Sequence, residues 1–179
     1  MMTNLKIIER KASKIISDFN GNKLPIDVEK IVKQLGVEII EDDLGSNVSG
    51  VLFIKNGKGT IGYNPDENIN LERRRFTIAH ELGHYVLHRF DNDVFVDKSQ
   101  LKVKFNRDEK SSTGEITIER EANAFAAALL MPKELLEKEI EKLSFDLLGD
   151  NTNIIGVLAD KFKVSEQAMT FRMMNLKLF

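Results

Sequence analysis

Hydrophobic positions in the first thirty-five residues follow a helical period. A first helix is predicted from apolar side chains spaced three and four apart, at Leu5, Ile8, Ala12, Ile15, Ile16 and Phe19. A second apolar series, from Val28 to Leu35, predicts another helix, which Pro25 is expected to begin and Gly36 to end. Residues 37–40 then predict a short strand. These segments are typical of scaffold rather than of a binding site.

The pattern changes to β-structure after residue 47. Residues 48–54 and 60–63 predict two strands, and Asn56-Gly57 between them is a strong hairpin signal. An open strand edge beside an active site can bind an extended peptide through main-chain hydrogen bonds. The pattern leaves open whether the second strand lies at such an edge.

A long helix is predicted from about Asn70 to His88. Its apolar arc consists of Phe76, Ala79, Leu82, Gly83, Val86 and Leu87. His80 and His84 flank this arc, so we expect them at the border of the buried face, in a half-buried cleft. Because Gly83 weakens a helix by about 1 kcal/mol relative to alanine, we expect another element to approach closely there.

Polar and charged residues dominate positions 91–114, which predicts a surface excursion. A further helix is predicted over residues 116–130, ending before Met131-Pro132. Near the C-terminus, an apolar helix, a short turn and Ser165 as a second N-cap resemble a helix-turn-helix. We therefore divide the chain into residues 1–145, the main domain, and residues 146–179, a small helical tail.

Composition narrows the classes of protein. The 179 residues include 26 basic and 28 acidic side chains, so the net charge of −2 gives no global signature of nucleic-acid or membrane binding. The chain has no cysteine, which excludes disulfides and thiolate ligands. It shows neither a secretory leader nor an apolar stretch long enough to span a bilayer, so a cytoplasmic location without membrane contact is the expectation.

The three histidines of the chain all fall in the helix predicted over residues 70–88. His80-Glu81-Leu82-Gly83-His84 forms the pattern H-E-x-x-H, which places both imidazoles on one face of a helix. Two neutral imidazoles at that spacing bind zinc, and Glu81 is then placed to act as the general base toward a water molecule. The sequence therefore predicts a zinc metallohydrolase, most simply a peptidase, with one zinc ion per chain.

The third protein ligand must come from elsewhere in the sequence, because such sites use three protein ligands and one open position. Glu119 and Glu121 are the candidates, in the helix predicted over residues 116–130. Helical geometry favours Glu119, which lies at the edge of the apolar arc in line with Asn123. Asn123 is therefore expected to line the site, and Glu121 stays open as the alternative ligand.

Other side chains are candidates for lining the site. His88 follows His84 by four residues, so it is a further ligand, a site-lining residue or a surface residue. His88, Tyr63 and Tyr85 are candidates for the donor that stabilises the oxyanion of peptide hydrolysis. The pattern does not decide among them, and it names no substrate-binding residue.

Two stretches of the chain together resemble a known family. R-F-T-I-A-H-E-L-G-H-x-x-L-H, followed by E-x-E-A-N-x-F-A-A-x-L-L-M-P, is similar to the ImmA/IrrE-type metallopeptidases of bacteria and mobile genetic elements. The resemblance spans roughly residues 48–132. It implies an α+β, zincin-like (thermolysin-like) core with N-terminal helices, a small β-sheet and a helical C-terminal tail. It also implies zinc bound by His80, His84 and Glu119, with Glu81 as the catalytic residue.

The same resemblance implies a partner. Typical members cleave or control a helix-turn-helix transcriptional repressor of a phage, a mobile element or a stress regulon. The tail offers other functions, since a helix-turn-helix can contact DNA through Gln167, Thr170 and Arg172. Residues 151–179 carry only four basic against two acidic side chains, which favours core packing or partner docking over DNA contact. The alternative to a peptidase is a catalytically silent, zinc-stabilised module that binds protein or DNA.

Overall fold

The computed structural model describes residues 2–19, 23–90, 93–98, 109–146 and 153–178. Helix α1 (Met2–Phe19) buries Ile8, Ala12 and Ile16, as its spacing predicts. Helix α2 (Val28–Gln34) begins later than predicted. Pro25 does not begin it, because the side chain of Asp27 accepts a hydrogen bond from the Lys30 amide and caps the helix there.

Four strands form one mixed sheet in the order β1-β3-β2-β4. Strand β1 (Glu38–Glu41) pairs in parallel with β3 (Lys58–Tyr63). Strand β2 (Val48–Lys55) pairs antiparallel with β3 and with β4 (Val94–Lys98). Strand β3 is therefore interior, and the edge strands are β1 and β4. The strand predicted over residues 60–63 therefore lies inside the sheet and offers no free edge to a peptide.

The turn between β2 and β3 follows the sequence. Asn56 and Gly57 both have positive φ, at 51° and 76°, as a two-residue hairpin loop of the mirror-image type requires. The prediction of an irregular surface excursion over residues 91–114 is wrong for those of its residues that the structure describes. Residues 94–98 pair with β2 as an edge strand, and helix α4 (Glu109–Leu130) begins before residue 116. Residues 91–92 and 99–108 of that prediction lie outside the described residues.

Helix α3 (Leu71–His88) lies between the sheet and α4. Its crossing with α4 is close at Gly83, as the sequence predicts. A Cβ atom on Gly83 would lie 3.0 Å from the Ala122 carbonyl oxygen and 3.1 Å from the Ala122 Cα. The glycine lets the two backbones approach, which brings the side chains of α4 next to the histidines of α3.

The rest of the described chain is helical. Helix α5 (Lys133–Asp146) follows α4 directly and was not predicted. The predicted helix pair of the tail is present as α6 (Ile154–Phe162) and α7 (Glu166–Leu176), and the side chain of Ser165 caps α7 by accepting from the Ala168 amide. The division at residues 145 and 146 stays a prediction.

Two buried arginines join the tail to the rest of the protein. Arg75 of α3 donates to the carbonyl oxygens of Phe162 and Lys163, which end α6. Arg172 of α7 donates to the Met131 carbonyl and to both carboxylate oxygens of Glu9 in α1. Arg172 is 5% exposed, so this side chain is not presented to DNA.

The described residues form seven helices and one four-stranded sheet, which confirms the predicted α+β class. The buried apolar core is continuous from α1 through the sheet and α3 to the tail. In the part of the chain that the structure describes, each helix is too short or too polar to cross a membrane.

Candidate metal centre

Helix α3 presents His80 and His84 toward one point. The helix starts where the side chain of Asn70 accepts from the Arg73 amide, and it continues unbroken to His88. The two histidines are one turn apart, and their Nε2 atoms lie 3.1 Å from each other. They are more buried than the predicted half-buried cleft, at 3% and 1% exposure.

Glu119 of α4 reaches the same point from the opposite helix. Its Oε2 lies 3.3 Å from His80 Nε2, and its Oε1 lies 3.4 Å from His84 Nε2. Zinc bonds of about 2.0–2.1 Å at tetrahedral angles separate two ligand atoms by about 3.3 Å. The separations of His80, His84 and Glu119 match that spacing, and all three residues offer a ligand atom within 4.8 Å of one another. The Glu119 side chain is 45% exposed, so the site opens on its side.

Glu121 lies elsewhere. Its carboxylate is 3.4 Å from His88 Nε2 and accepts a hydrogen bond from the Asn4 side chain. The structure therefore brings Glu119, and not Glu121, to the His80–His84 pair. His88 is buried at 6% exposure and lies beside Glu121.

Neighbouring side chains orient both imidazoles. Asn123, one turn after Glu119 on α4, has its Oδ1 3.1 Å from His80 Nδ1. In the tautomer that donates this hydrogen bond, the lone pair of Nε2 points toward His84 and Glu119. The His84 ring stacks on Phe95 of β4, with centroids 4.6 Å apart and planes at 19°. Both ring orientations are thus fixed by residues outside α3.

Glu81 is the most enclosed of the polar side chains here, at 0% exposure. Neither of its carboxylate oxygens has a hydrogen-bond partner among the described residues. Gly50 of β2 makes room for it, since a Cβ on Gly50 would lie 3.0 Å from Glu81 Oε1. A buried carboxylate without a partner is costly, which indicates a chemical role rather than a structural one.

The charges of the site shift several pKa values. Burial alone lowers the pKa of His80, but the hydrogen bond with Glu119 and the charge of Glu81 outweigh it, and the pKa rises to about 9. Burial lowers the pKa of His84. Burial alone raises the pKa of Glu119, but hydrogen bonds with both histidines outweigh it and lower that pKa to about 2.

The pKa of Glu81, the candidate general base, shifts in the opposite direction to the pKa of Glu119. Burial raises the pKa of Glu81 to about 8. Because a bound cation adds two positive charges beside it, cation binding lowers the pKa of Glu81 again.

The hydrogen bond of Tyr63 and the cation–π contact of Tyr85 are with residues other than the three ligands. The Tyr63 hydroxyl donates to Glu41, and hydrogen bonding with Glu41, together with burial, raises its pKa. The Tyr85 ring lies over Gly59 of β3 and below the Arg89 guanidinium. Among the described residues, neither tyrosine forms a hydrogen bond or a ring contact with His80, His84 or Glu119.

Asp97 of β4 is a site residue that the sequence did not predict. Its carboxylate belongs to a second group of three, with His80 and Glu81, whose ligand atoms also lie within 4.8 Å of one another. The sequence signal was weak, because Asp97 stands in a short charged strand whose place is set by pairing with the distant Gly50.

The residues fit a divalent transition-metal ion. Two imidazoles and one carboxylate suit zinc better than magnesium or calcium, which prefer oxygen donors alone. The unpartnered Glu81 carboxylate lies next to this donor set, where a water molecule bound to the cation would need a base.

Two comparisons with known proteins agree with each other on the kind of protein that this chain resembles. The model of the IrrE N-terminal-like domain, which describes a peptidase family, matches residues 32–174. The Metallopeptidase ImmA of Bacillus subtilis (strain 168) is 30% identical over 166 residues, which cover 90% of this chain and 86% of that protein. The family match contains the whole of the sheet, α3 and α4.

Proposed function

Because the chain belongs to the ImmA/IrrE family of metallopeptidases, we propose that it is a zinc-dependent endopeptidase whose substrate is a helix-turn-helix transcriptional repressor. One observation carries the catalytic part: His80, His84 and Glu119 converge at the spacing of tetrahedral zinc ligands, with the unpartnered Glu81 carboxylate beside them.

In this proposal each residue has a defined task. His80, His84 and Glu119 would hold the ion, which when bound would supply Lewis-acid chemistry to the peptide carbonyl and to a water molecule. Glu81 would take a proton from a water molecule while the oxygen of that water attacks the carbonyl carbon. Glu81 then gives the proton to the amide nitrogen as the C–N bond breaks. Asn123 holds His80 in the tautomer that leaves Nε2 free for the ion.

The edge strand β4 supports a mode of substrate binding. It pairs with β2 on one side only within the described part of the chain, and its residues Phe95 and Asp97 face the site. An extended peptide can add to such an edge by main-chain hydrogen bonds, which place a peptide bond without demanding a particular sequence. The repressor as substrate is what the family resemblance implies. We infer that an exposed, extended segment of it is cleaved.

The test is Glu81→Gln, because an amide cannot take the proton from water while its shape is nearly that of the carboxylate. A helix-turn-helix repressor, to be sought in the reading frames next to this gene, is co-expressed with either form, and a discrete fragment is sought by gel and mass spectrometry. Cleavage should fall by several orders of magnitude. Glu72→Gln, the same substitution in the first turn of the same helix, is the control and should leave cleavage unchanged.

If the wild-type protein and Glu81→Gln produced the same fragment in the same amount, the peptidase assignment would be wrong. The protein would then be a metal-stabilised module that acts by binding. Retention of one zinc ion in Glu81→Gln must be verified, so that a loss of cleavage is not a loss of metal.

A further inference from the structure

Asp97 lies beside the proposed zinc ligands without belonging to their set. Strand β4 turns Phe95 and Asp97 to the same face, and the Phe95 ring stacks on His84. Asp97 offers a carboxylate oxygen within 4.8 Å of ligand atoms of His80 and Glu81. The proposed zinc site uses His80 together with His84 and Glu119, so the Glu81–Asp97 pair is additional to it.

The sheet is built so that these two carboxylates can converge. Asp97 stands directly opposite Gly50 on β2, at an irregularity in the strand pairing between Val48 and Gly50. A Cβ on Gly50 would lie 2.6 Å from Thr77 Cγ2 and 3.0 Å from Glu81 Oε1. Because Gly50 has no side chain, only its backbone borders the space next to Glu81 and Asp97. A side chain at position 50 would fill that space.

Charge at this point favours a further cation. Glu81 is fully buried, and its two oxygens have no hydrogen-bond partner among the described residues. Glu81, Asp97 and Glu119 together carry three negative charges when ionised, so one divalent ion does not neutralise them. The nearby cation on α3 is Arg73, whose guanidinium donates to Ser49 Oγ at 3.3 Å, and no ion pair joins it to Asp97 in the described structure.

We propose that Glu81 and Asp97 form a second cation site, which binds a further divalent transition-metal ion such as zinc in excess and thereby inhibits the peptidase. The inhibitory consequence rests on the proposed function, because Glu81 cannot accept a proton from water while it holds an ion. His80 has one lone pair directed into the site, at Nε2, and the first ion uses it. The second ion is left with two carboxylates and water, so it binds more weakly than the first.

The site is tested with zinc alone. Tag-free, chelator-treated protein is titrated with zinc by calorimetry, using wild type, Asp97→Asn, Asp97→Ala and the control Asp93→Asn, an exposed carboxylate beside the same strand. Wild type and Asp93→Asn should bind two equivalents, the second at least about tenfold more weakly. Both Asp97 variants should bind one. That first equivalent and an unchanged circular dichroism spectrum show that they are folded.

A single equivalent in the wild-type protein, or two equivalents in both Asp97 variants, would overturn the second site. The inhibitory consequence has its own readout. Repressor cleavage by wild type should stop at zinc concentrations that fill the second site, whereas Asp97→Asn should need at least about tenfold more zinc. Undiminished cleavage with both sites filled would overturn inhibition. If no cleavage occurs at all, the proposed function fails, while the calorimetric stoichiometry still decides whether the second site exists.

Discussion

Among single residues, Glu119 is the one whose position the sequence left open and the structure defines. It spans His80 and His84 with its two oxygens, whereas Glu121 two positions later faces His88. On a helix, two residues apart means about 200° of rotation, so the two glutamates cannot serve the same site. The choice between them is a question of which face α4 turns to α3, and Gly83 fixes that crossing.

We predict that Glu119→Gln weakens zinc binding by more than about 100-fold, since removal of even an outer hydrogen-bond partner of a ligand costs about 10–100-fold. Glu121→Gln is the matched control and should keep the affinity of the wild type. Competition with a chromophoric chelator measures both. If Glu121→Gln proved the weaker binder, the third ligand would have to be reassigned to Glu121.

At the scale of elements, the α3–α4 crossing sets the geometry of the site. The sequence showed that Gly83 needs a close neighbour, because a helix interior seldom keeps a glycine without a packing reason. The candidate ligands Glu119 and Glu121 already pointed to the helix over residues 116–130, but the sequence did not connect that helix with Gly83. The same limit applies to β4. Val94, Phe95 and Val96 point to alternate faces of the strand, as in any β-strand. The position of the strand, however, is set by its pairing with β2, more than forty residues earlier in the chain. Asp97 was missed for that reason.

Gly83→Ala should destabilise the protein by about 1–3 kcal/mol, because the added methyl group meets the backbone of Ala122, which cannot turn aside as a side chain can. For a chain of this size that corresponds to a melting temperature lower by about 2–10 °C. Gly114→Ala in α4 is the control, since nothing lies within 4 Å of a Cβ there, and alanine should stabilise the helix slightly. Equal melting temperatures for the two variants would contradict the close crossing.

Glu139 connects α5 to α6 and gives a pH-dependent contribution to stability. Burial alone raises the pKa of Glu139, but hydrogen bonds from Lys142, at 2.7 Å, and from Lys161 outweigh it and hold the pKa below its usual range. A depressed folded pKa means that the stabilisation is complete above the unfolded value of about 4.3 and is lost as the pH falls through the folded pKa.

We therefore expect Glu139→Gln to unfold at a temperature lower by about 2–4 °C at pH 7, corresponding to about 1 kcal/mol for such an ion pair. The difference from the wild type should shrink as the pH falls below about 4. Thermal melts from pH 3 to pH 7 measure it. Glu134→Gln, which changes an exposed glutamate in the first turn of the same helix, is the control. A constant offset for Glu139→Gln across the range would rule out the linkage.

At the scale of the whole molecule, sequence and structure agree on more than the site. Local patterns of spacing, capping and turn residues predict the helical N-terminus, the hairpin, helix α3 and the two helices of the tail. Helix α5 was missed although Leu135, Leu136, Ile140 and Leu143 recur at helical spacing. The packing of the tail could not be foreseen, because the residues that carry it, Arg75 and Arg172, look like surface arginines in the sequence.

Arg172 tests whether the tail is part of the main fold. Its buried guanidinium binds Glu9 of α1 and the Met131 carbonyl after α4, so it joins three distant segments. Arg172→Ala should destabilise the protein by about 3 kcal/mol, because it leaves a carboxylate and a carbonyl without their charged donor.

Asn175→Ala, exposed on the same helix, is the control. Calorimetry should show one unfolding transition for the wild type and one, at lower temperature, for Arg172→Ala. Two separate transitions in the wild type would mean that residues 146–179 fold by themselves and that the arginine contacts do not couple the tail to the metal-binding domain.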